Sequence, residues 1–322
     1  MMEAGAVHAG GRVNRPRPPV RCRPARRAPY RRAVGAVLVA LVVFGPLGPV
    51  GDRQRARAGT ACQVAPTVTV RAESGLPRDA GEASGFAASR QYPGALWMIR
   101  DSGHPPEVYA LRFNPDGTAT SRVMPVTGAA NKDWEDITRF DRPDGRSGLW
   151  IVESGQSGAD RFVYEVPEPD PDHDVAARAV ARYAYAYPDR RANTESAFTY
   201  DDKLVLVTKE FPGRVYRFDK PLSPTGVNVP TYLGELSDSR GVSVVKPSPD
   251  RHWIVSATHD TLFVYRNRGS GRLEDFLGRE PFHAMEFAPG DNVEAGDFDP
   301  VFGDCTMILA SEAHNSYRLT GG

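Results

Sequence analysis

Carboxylates recur along this chain in similar company. Glu82, Glu135, Glu195 and Glu294 sit in the short elements Glu82-Ala83-Ser84-Gly85, Trp134-Glu135-Asp136-Ile137, Glu195-Ser196-Ala197-Phe198 and Glu294-Ala295-Gly296-Asp297. The densest stretch, Asn131 to Thr138, places Asp133, Glu135 and Asp136 around Trp134. Carboxylates gathered in one pocket suit Ca²⁺, which takes about six to eight oxygen ligands. A cation held there would clamp a phosphate and polarise water for attack. Asp101, Glu135, Asp136 and Glu153 are the candidate metal ligands, and Lys209 is a candidate contact for an anion. A competing role for the repeated glutamates is structural, accepting backbone N–H bonds from a neighbouring unit. Asp101 and Asp136 lack the full recurrence and are therefore the stronger functional candidates.

Other chemistries find less support. His259 and His314 both follow an apolar run, but two histidines without a third ligand make a poor zinc pattern. Asp170-x-Asp172-x-Asp174 imitates the start of a calcium loop yet lacks its glycine and terminal glutamate, and reads as a solvated acidic loop. No G-x-S-x-G elbow and no dinucleotide or phosphate loop occurs in the chain.

The elements that position these residues follow from a repeat. A tyrosine closes a short apolar run at Tyr109, Tyr164, Tyr216, Tyr265 and Tyr317, at intervals of 55, 52, 49 and 52 residues. Upstream of each lies a second apolar run: Leu96-Trp97-Met98-Ile99, Leu149-Trp150-Ile151-Val152, Leu204-Val205-Leu206-Val207, Trp253-Ile254-Val255 and Met307-Ile308-Leu309. Upstream again lies the acidic element, replaced in the fourth unit by Arg240-Gly241-Val242-Ser243. A period near 50 residues built of short strands predicts a β-propeller, because each small sheet buries its faces only by stacking on neighbours. We expect an all-β fold of five blades. Six is the alternative, if Asp219–Arg240 hides a further sheet, and a β-sandwich is the competing architecture. Thr67–Ala72 alternates as a strand with no partner of its own and is expected to complete the last blade. Helix signals are nearly absent, with Val175–Val180 the best short candidate. In such a ring the four glutamates open the innermost strands and line the channel.

Residues 1–58 carry twelve arginines and only Glu3 and Asp52 as acids. Ala33–Phe44 is an uninterrupted apolar run, suited to the core of a signal peptide and short for a membrane span. We read residues 1–58 as export signal and linker and 59–322 as a single propeller domain, hence a secreted protein. A retained anchor over residues 33–50 is the alternative. Without residues 1–58 the chain has 28 basic and 38 acidic residues, a net of −10. That balance argues against nucleic acid and anionic membrane as partners and leaves a small-molecule or phosphorylated ligand, taken by a monomer. Cys22 would leave with the signal; the remaining pair in an exported chain, Cys62 and Cys305, is expected to form a disulfide.

Glu82-Ala83-Ser84-Gly85, then Leu96-Trp97 with Asp101-Ser102-Gly103, then Asn131-Lys132-Asp133-Trp134-Glu135-Asp136-Ile137 resemble exported bacterial propeller proteins related to the "esterase-like activity of phytase" family. Val163-Tyr164, Pro167-Glu168-Pro169, Glu195, Leu206-Val207-Thr208-Lys209 and Asn292-Val293-Glu294-Ala295 continue the resemblance, which spans nearly all of residues 80–320. It departs at Glu153-Ser154-Gly155-Gln156, where relatives carry a Gly-Asp-rich turn, and at Asn193, where Asp is common. The resemblance implies a propeller and a calcium-dependent phosphoester or ester hydrolase; the alternative is a non-catalytic binding scaffold of the cell envelope.

Overall fold

The structure is a computed structural model that describes residues 68–72, 76–114, 118–154, 161–189, 192–237, 241–267, 269–287, 290–298 and 305–321. All of these belong to one compact unit within residues 54–322. The expected signal segment, the alternative anchor and Cys62 lie outside the described residues. No helix among the described residues is long and apolar enough to cross a membrane.

In chain order the strands are β1 (Val68–Ala72), β2 (Ala83–Ala88), β3 (Leu96–Arg100), β4 (Glu107–Phe113), β5 (Ala119–Thr127), β6 (Trp134–Asp141), β7 (Ser147–Glu153), β8 (Arg161–Pro167), β9 (Ala177–Arg178), β10 (Ala181–Tyr185) and β11 (Thr194–Tyr200). They continue as β12 (Lys203–Thr208), β13 (Gly213–Arg217), β14 (Val227–Asn228), β15 (Thr231–Leu236), β16 (Val242–Pro247), β17 (Trp253–Thr258), β18 (Thr261–Arg266), β19 (His283–Glu286), β20 (Val293–Phe298), β21 (Thr306–Ser311) and β22 (Ser316–Gly321). They pair into five sheets, antiparallel apart from the two-residue outermost strands β9 and β14, and the innermost strands are β2, β6, β11, β16 and β20. Each innermost strand touches the next, and β20 returns to β2, so the ring is closed. The second strands are apolar runs buried on both faces, as the pattern requires for sheets stacked on either side. The outer strands β5 and β10 meet solvent on one side and alternate accordingly.

Five apolar clusters fill the five seams between blades. Trp97, Ile99, Trp134 and Ile151 pack between the first and second, and Phe86, Met98, Ile308 and Ala310 between the fifth and first. Val152 with Leu206, Val207 with Ile254, and Val255 with Leu309 belong to the clusters of the other three seams. The last blade takes the leading strand: β1 pairs antiparallel with β22 from Val68↔Gly321 to Ala72↔Tyr317, which removes a free edge.

Two details differ from the sequence reading. Val175–Val180 forms no helix; Ala177–Arg178 is a short strand lying parallel to β5, with Val126 opposite Ala177. Among its described residues, Asp219–Arg240 holds no sixth blade. Its strands extend existing sheets, β14 beside β10 of blade 2 and β15 beside β13 of blade 3. An isolated two- or six-residue strand cannot bury a face alone, so it joins an available edge.

Near the axis one network ties three blades. Lys246 Nζ of blade 4 lies 3.0 and 2.9 Å from the two oxygens of Asp136 of blade 2. Asp136 Oδ2 also accepts the Ser196 hydroxyl at 2.9 Å and the Ala197 N–H at 2.6 Å, both from blade 3. Lys246 donates onward to the Ala197 carbonyl at 2.8 Å. Gly85 makes room for this carboxylate: a Cβ there would lie 2.5 Å from Asp136 Oδ1 and 2.7 Å from Asp136 Cα. Lys246→Ala should therefore destabilise the protein by about 3–5 kcal/mol, because it strands a buried carboxylate. The double change Asp136→Leu with Lys246→Met should recover most of that loss. Chemical denaturation measures both, and equal stabilities for Lys246→Ala and the double variant would refute this account.

Candidate functional site

A shared irregularity builds the site. In every innermost strand the register slips by one residue near its start: between Ala83 and Gly85, Trp134 and Asp136, Thr194 and Ser196, Val242 and Val244, and Val293 and Ala295. The extra residues of these β-bulges are Ser84, Glu135, Glu195, Ser243 and Glu294. A bulged residue leaves the alternation of the ladder and its side chain is re-aimed. The residues that follow the facing second strands form a parallel set: Asp101, Ser154, Lys209, His259 and Glu312. In four blades their backbone N–H donates to the residue two before the bulge, for example Asp101 to the Glu82 carbonyl at 3.2 Å and Ser154 to the Asp133 carbonyl at 3.0 Å. One end of the ring thus carries chemistry at equivalent points of all five blades.

Ser84 and Ser243 spend their hydroxyls on the next blade, donating to the Glu135 carbonyl at 2.8 Å and the Val293 carbonyl at 2.6 Å. The three bulge glutamates instead crowd together. Lys209 Nζ donates to Glu195 Oε2 at 3.1 Å, and Asn193 Nδ2 donates to the other oxygen of Glu195. Asn292 Nδ2 donates to Glu294 Oε1 at 3.2 Å, and His259 Nδ1 stands 3.8 Å from that oxygen. Carboxylate oxygens of Asp101, Glu294 and Glu312 all lie within 4.8 Å of one another.

The electrostatics record this crowding. Burial, then the charges of Glu195, Asp133 and Asp101, drive the Glu135 carboxyl far above the ordinary range. Burial raises Glu195 to about 7 against the pull of Lys209. Burial and Glu312 raise Glu294 to about 8, again against Lys209. Burial works to lower the Lys209 ammonium, but Glu195, Glu294 and Glu135 together hold it above its usual value. Burial, then Lys209, lowers the His259 imidazole.

The structure brings Glu135, Glu195, Glu294, Asp101 and Lys209 into this group and leaves out three candidates. Glu82 is not the counterpart of the other glutamates. It sits two residues before the bulge, at left-handed φ of 56°, in register with Asp133, Asn193 and Asn292, and its side chain meets His104. Asp136 has both oxygens engaged by Lys246. Its carboxyl is raised to about 6 because burial outweighs the lysine charge. Glu153 is fully buried and accepts the Tyr164 hydroxyl at 3.3 Å, and burial raises its carboxyl too. The proposed set of Asp101, Glu135, Asp136 and Glu153 is therefore not one cluster. Nor do the recurring glutamates cap neighbouring blades as the structural alternative expected. Asp136 and Asp297 perform that task, accepting the N–H of Ala197 and, at 2.7 Å, of Ala88.

Glu312 is not among the candidates drawn from the sequence, and Asp133 enters there only as part of the dense stretch around Trp134. The signal for Glu312 was present: it follows a second strand, as Asp101 and Lys209 do. His259 joins the group without His314, whose Nε2 faces the Arg78 carbonyl at 3.1 Å. The Asp170–Asp174 turn closes on itself and on Arg112, which reaches Asp172 at 2.9 Å.

No protein-family model matches the chain, and no curated protein matches it. A solved structure described as "Structure of Dos1 propeller" is similar at 11% identity with a TM-score of 0.37, over 74% of this chain and 67% of that one. The assignment as a five-bladed propeller rests on the sheet order and closed ring described above.

The raised carboxyls have a consequence for stability. Unfolded, these glutamates titrate near 4.5; folded, Glu195 and Glu294 hold their protons to about 7 and about 8. A folded state that binds more protons than the unfolded one loses stability as pH rises through that interval. Their contribution is complete below the unfolded value and declines as pH climbs from there toward 8. Thermal melting between pH 5 and 8.5 should thus fall less steeply for Glu294→Gln than for the unaltered protein; parallel curves would contradict the clustering.

Proposed function

We propose that this chain is an exported propeller that hydrolyses a phosphoester or ester at the acidic end of its axis, with a divalent cation, Ca²⁺ by preference, as cofactor. The observation that carries the reading is the convergence of carboxylates at one end of the ring, where oxygens of Asp101, Glu294 and Glu312 lie within 4.8 Å of one another and Glu195 is close enough to Glu135 to raise its carboxyl. Such a group gains most from a hard cation, which replaces mutual repulsion with attraction. The donor chemistry fits: the 4.8 Å limit between oxygens of Asp101, Glu294 and Glu312 matches ligands on opposite sides of an ion held at roughly 2.4 Å. These three residues would hold the cation, which when bound would polarise a phosphoryl or carbonyl oxygen. Lys209, half-exposed beside them, orients the anionic portion of the substrate. Glu195, raised to about 7, is suited to take a proton from the attacking water near neutral pH. Export is supported by the arginine-rich and apolar residues 1–58 and by Cys305 being half of a disulfide, for which we propose Cys62 as partner.

Calorimetric titration with Ca²⁺ should show saturable binding that weakens by roughly tenfold or more in Glu294→Gln and in Glu312→Gln. Glu153→Gln, outside the group, should bind as the unaltered protein does. A phosphoester and carboxylic-ester panel should show turnover that a chelator abolishes. Cation binding without turnover of any ester would replace the hydrolase with a binding scaffold of the cell envelope; no cation binding would overturn the site itself.

A further inference from the structure

The far ends of the strands of blade 4, away from the carboxylates, hold a cavity of about 430 Å³ lined by Asp250, Arg251, His252, Arg266, Asn267 and Gly269. Two segments build it: the turn between β16 and β17, and the stretch that follows β18. In the turn, Asp250 Oδ1 accepts the Ser248 hydroxyl at 2.6 Å and the His252 N–H at 3.1 Å, and its other oxygen lies 3.3 Å from His252 Nδ1. The one acid in the lining is therefore occupied in shaping the turn. Arg251 is held at a left-handed φ of 62°, a backbone region costly for a long side chain. Its guanidinium lies over the Tyr200 ring at 5.2 Å and pairs with Asp201, both from blade 3. The stretch after β18 is anchored to the same blade, where the Tyr200 hydroxyl donates to the Gly271 carbonyl at 2.5 Å.

Arg266 is different. Its guanidinium is 5.5 Å from the centre of the Trp253 ring and 5.8 Å from that of Phe282. Among the described residues no carboxylate comes within ion-pair distance of it. These cation–π contacts hold the guanidinium near two rings while leaving its donors open, which lowers the entropy lost when a ligand arrives. An arginine so placed in a cavity lining matches the planar, paired hydrogen bonding of an oxyanion.

We propose that this cavity binds phosphate, free or as a monoester, with Arg266 as the principal contact and His252 on the rim. The acidic net charge of residues 59–322 disfavours a long polyanion, so a small one is the expected ligand. Phe282, half-exposed against Trp253, offers an apolar flank to the organic part of an ester.

The test is calorimetric titration of the full chain with inorganic phosphate and, separately, with glucose 6-phosphate, in the presence of a chelator so that the cation site contributes nothing. Saturable binding is expected, weakened by roughly tenfold or more in Arg266→Gln. Tighter binding of glucose 6-phosphate identifies an ester as the ligand; equal binding identifies free phosphate. No saturable binding, or binding unchanged in Arg266→Gln, overturns the proposal. Because Arg266 also covers Trp253, amide hydrogen exchange of the unaltered protein with phosphate serves as the second measurement. Protection must rise in residues 250–252 and 266–271, and protection confined to residues 292–294 and 312 refutes the site.

Discussion

Lys246 and Asp136 come from blades that are not neighbours, and they meet only if the blade between them is in place. Burying two charges is costly, and here the cost is visible: the Asp136 carboxyl is pushed up despite a lysine at 2.9 Å. The pair is therefore a weak source of net stability and a strong source of specificity. Each partner is satisfied only when Ala197 supplies both its N–H and its carbonyl and Ser196 its hydroxyl. A ring with another blade spacing would leave at least one charge unpaired in an apolar interior. Apolar seams alone tolerate sliding, since burial has no direction; this network does not.

That constraint sets where chemistry can appear. Next to Asp136 in the chain stands the bulge residue Glu135, and the same bulge recurs in all five innermost strands. Two blades use it for a serine that stitches to the next blade. Three use it for a glutamate, and those three, in blades 2, 3 and 5, meet Asp101, Glu312 and Lys209 from the adjoining strand ends. One cation among so many carboxylates cannot neutralise them, so protons are retained well above the normal range.

Much of the fold was legible because its signals are periodic. The five tyrosines occupy matching places on the third strands, and four are buried to 2% exposure or less. The leading strand could be read because an alternating run without a partner needs an edge. The site was less legible for definite reasons. A bulge adds a residue that no pattern of period two reveals, so Glu82 was aligned with Glu135 when its counterpart is Ser84. Lys246 sits in the apolar run Val242-Ser243-Val244-Val245-Lys246-Pro247, and nothing in one strand announces a partner more than a hundred residues away. Repetition suggested that the glutamates cap blades, whereas capping fell to Asp136 and Asp297, and the repeated glutamates converge.

The strand-end positions sharpen the distinction between what the fold requires and what it permits. A structural requirement met five times by the same geometry is met by the same kind of residue, as with the tyrosines. Asp101, Ser154, Lys209, His259 and Glu312 occupy equivalent places and are five different residues. Backbone bonds already satisfy the ladder there, since Asp101, Ser154, Lys209 and Glu312 all donate their N–H to the facing strand. Ser154 still ties blade 2 to blade 3 through its hydroxyl and Asn193 Oδ1, but the ladder itself does not depend on the side chains at these positions. Diversity on an invariant frame is what an asymmetric ligand would demand of a symmetric fold. The two acids in that set, Asp101 and Glu312, stand beside the bulge glutamate Glu294, and that meeting of unlike positions is the physical basis for the proposal that chemistry sits at this end of the ring.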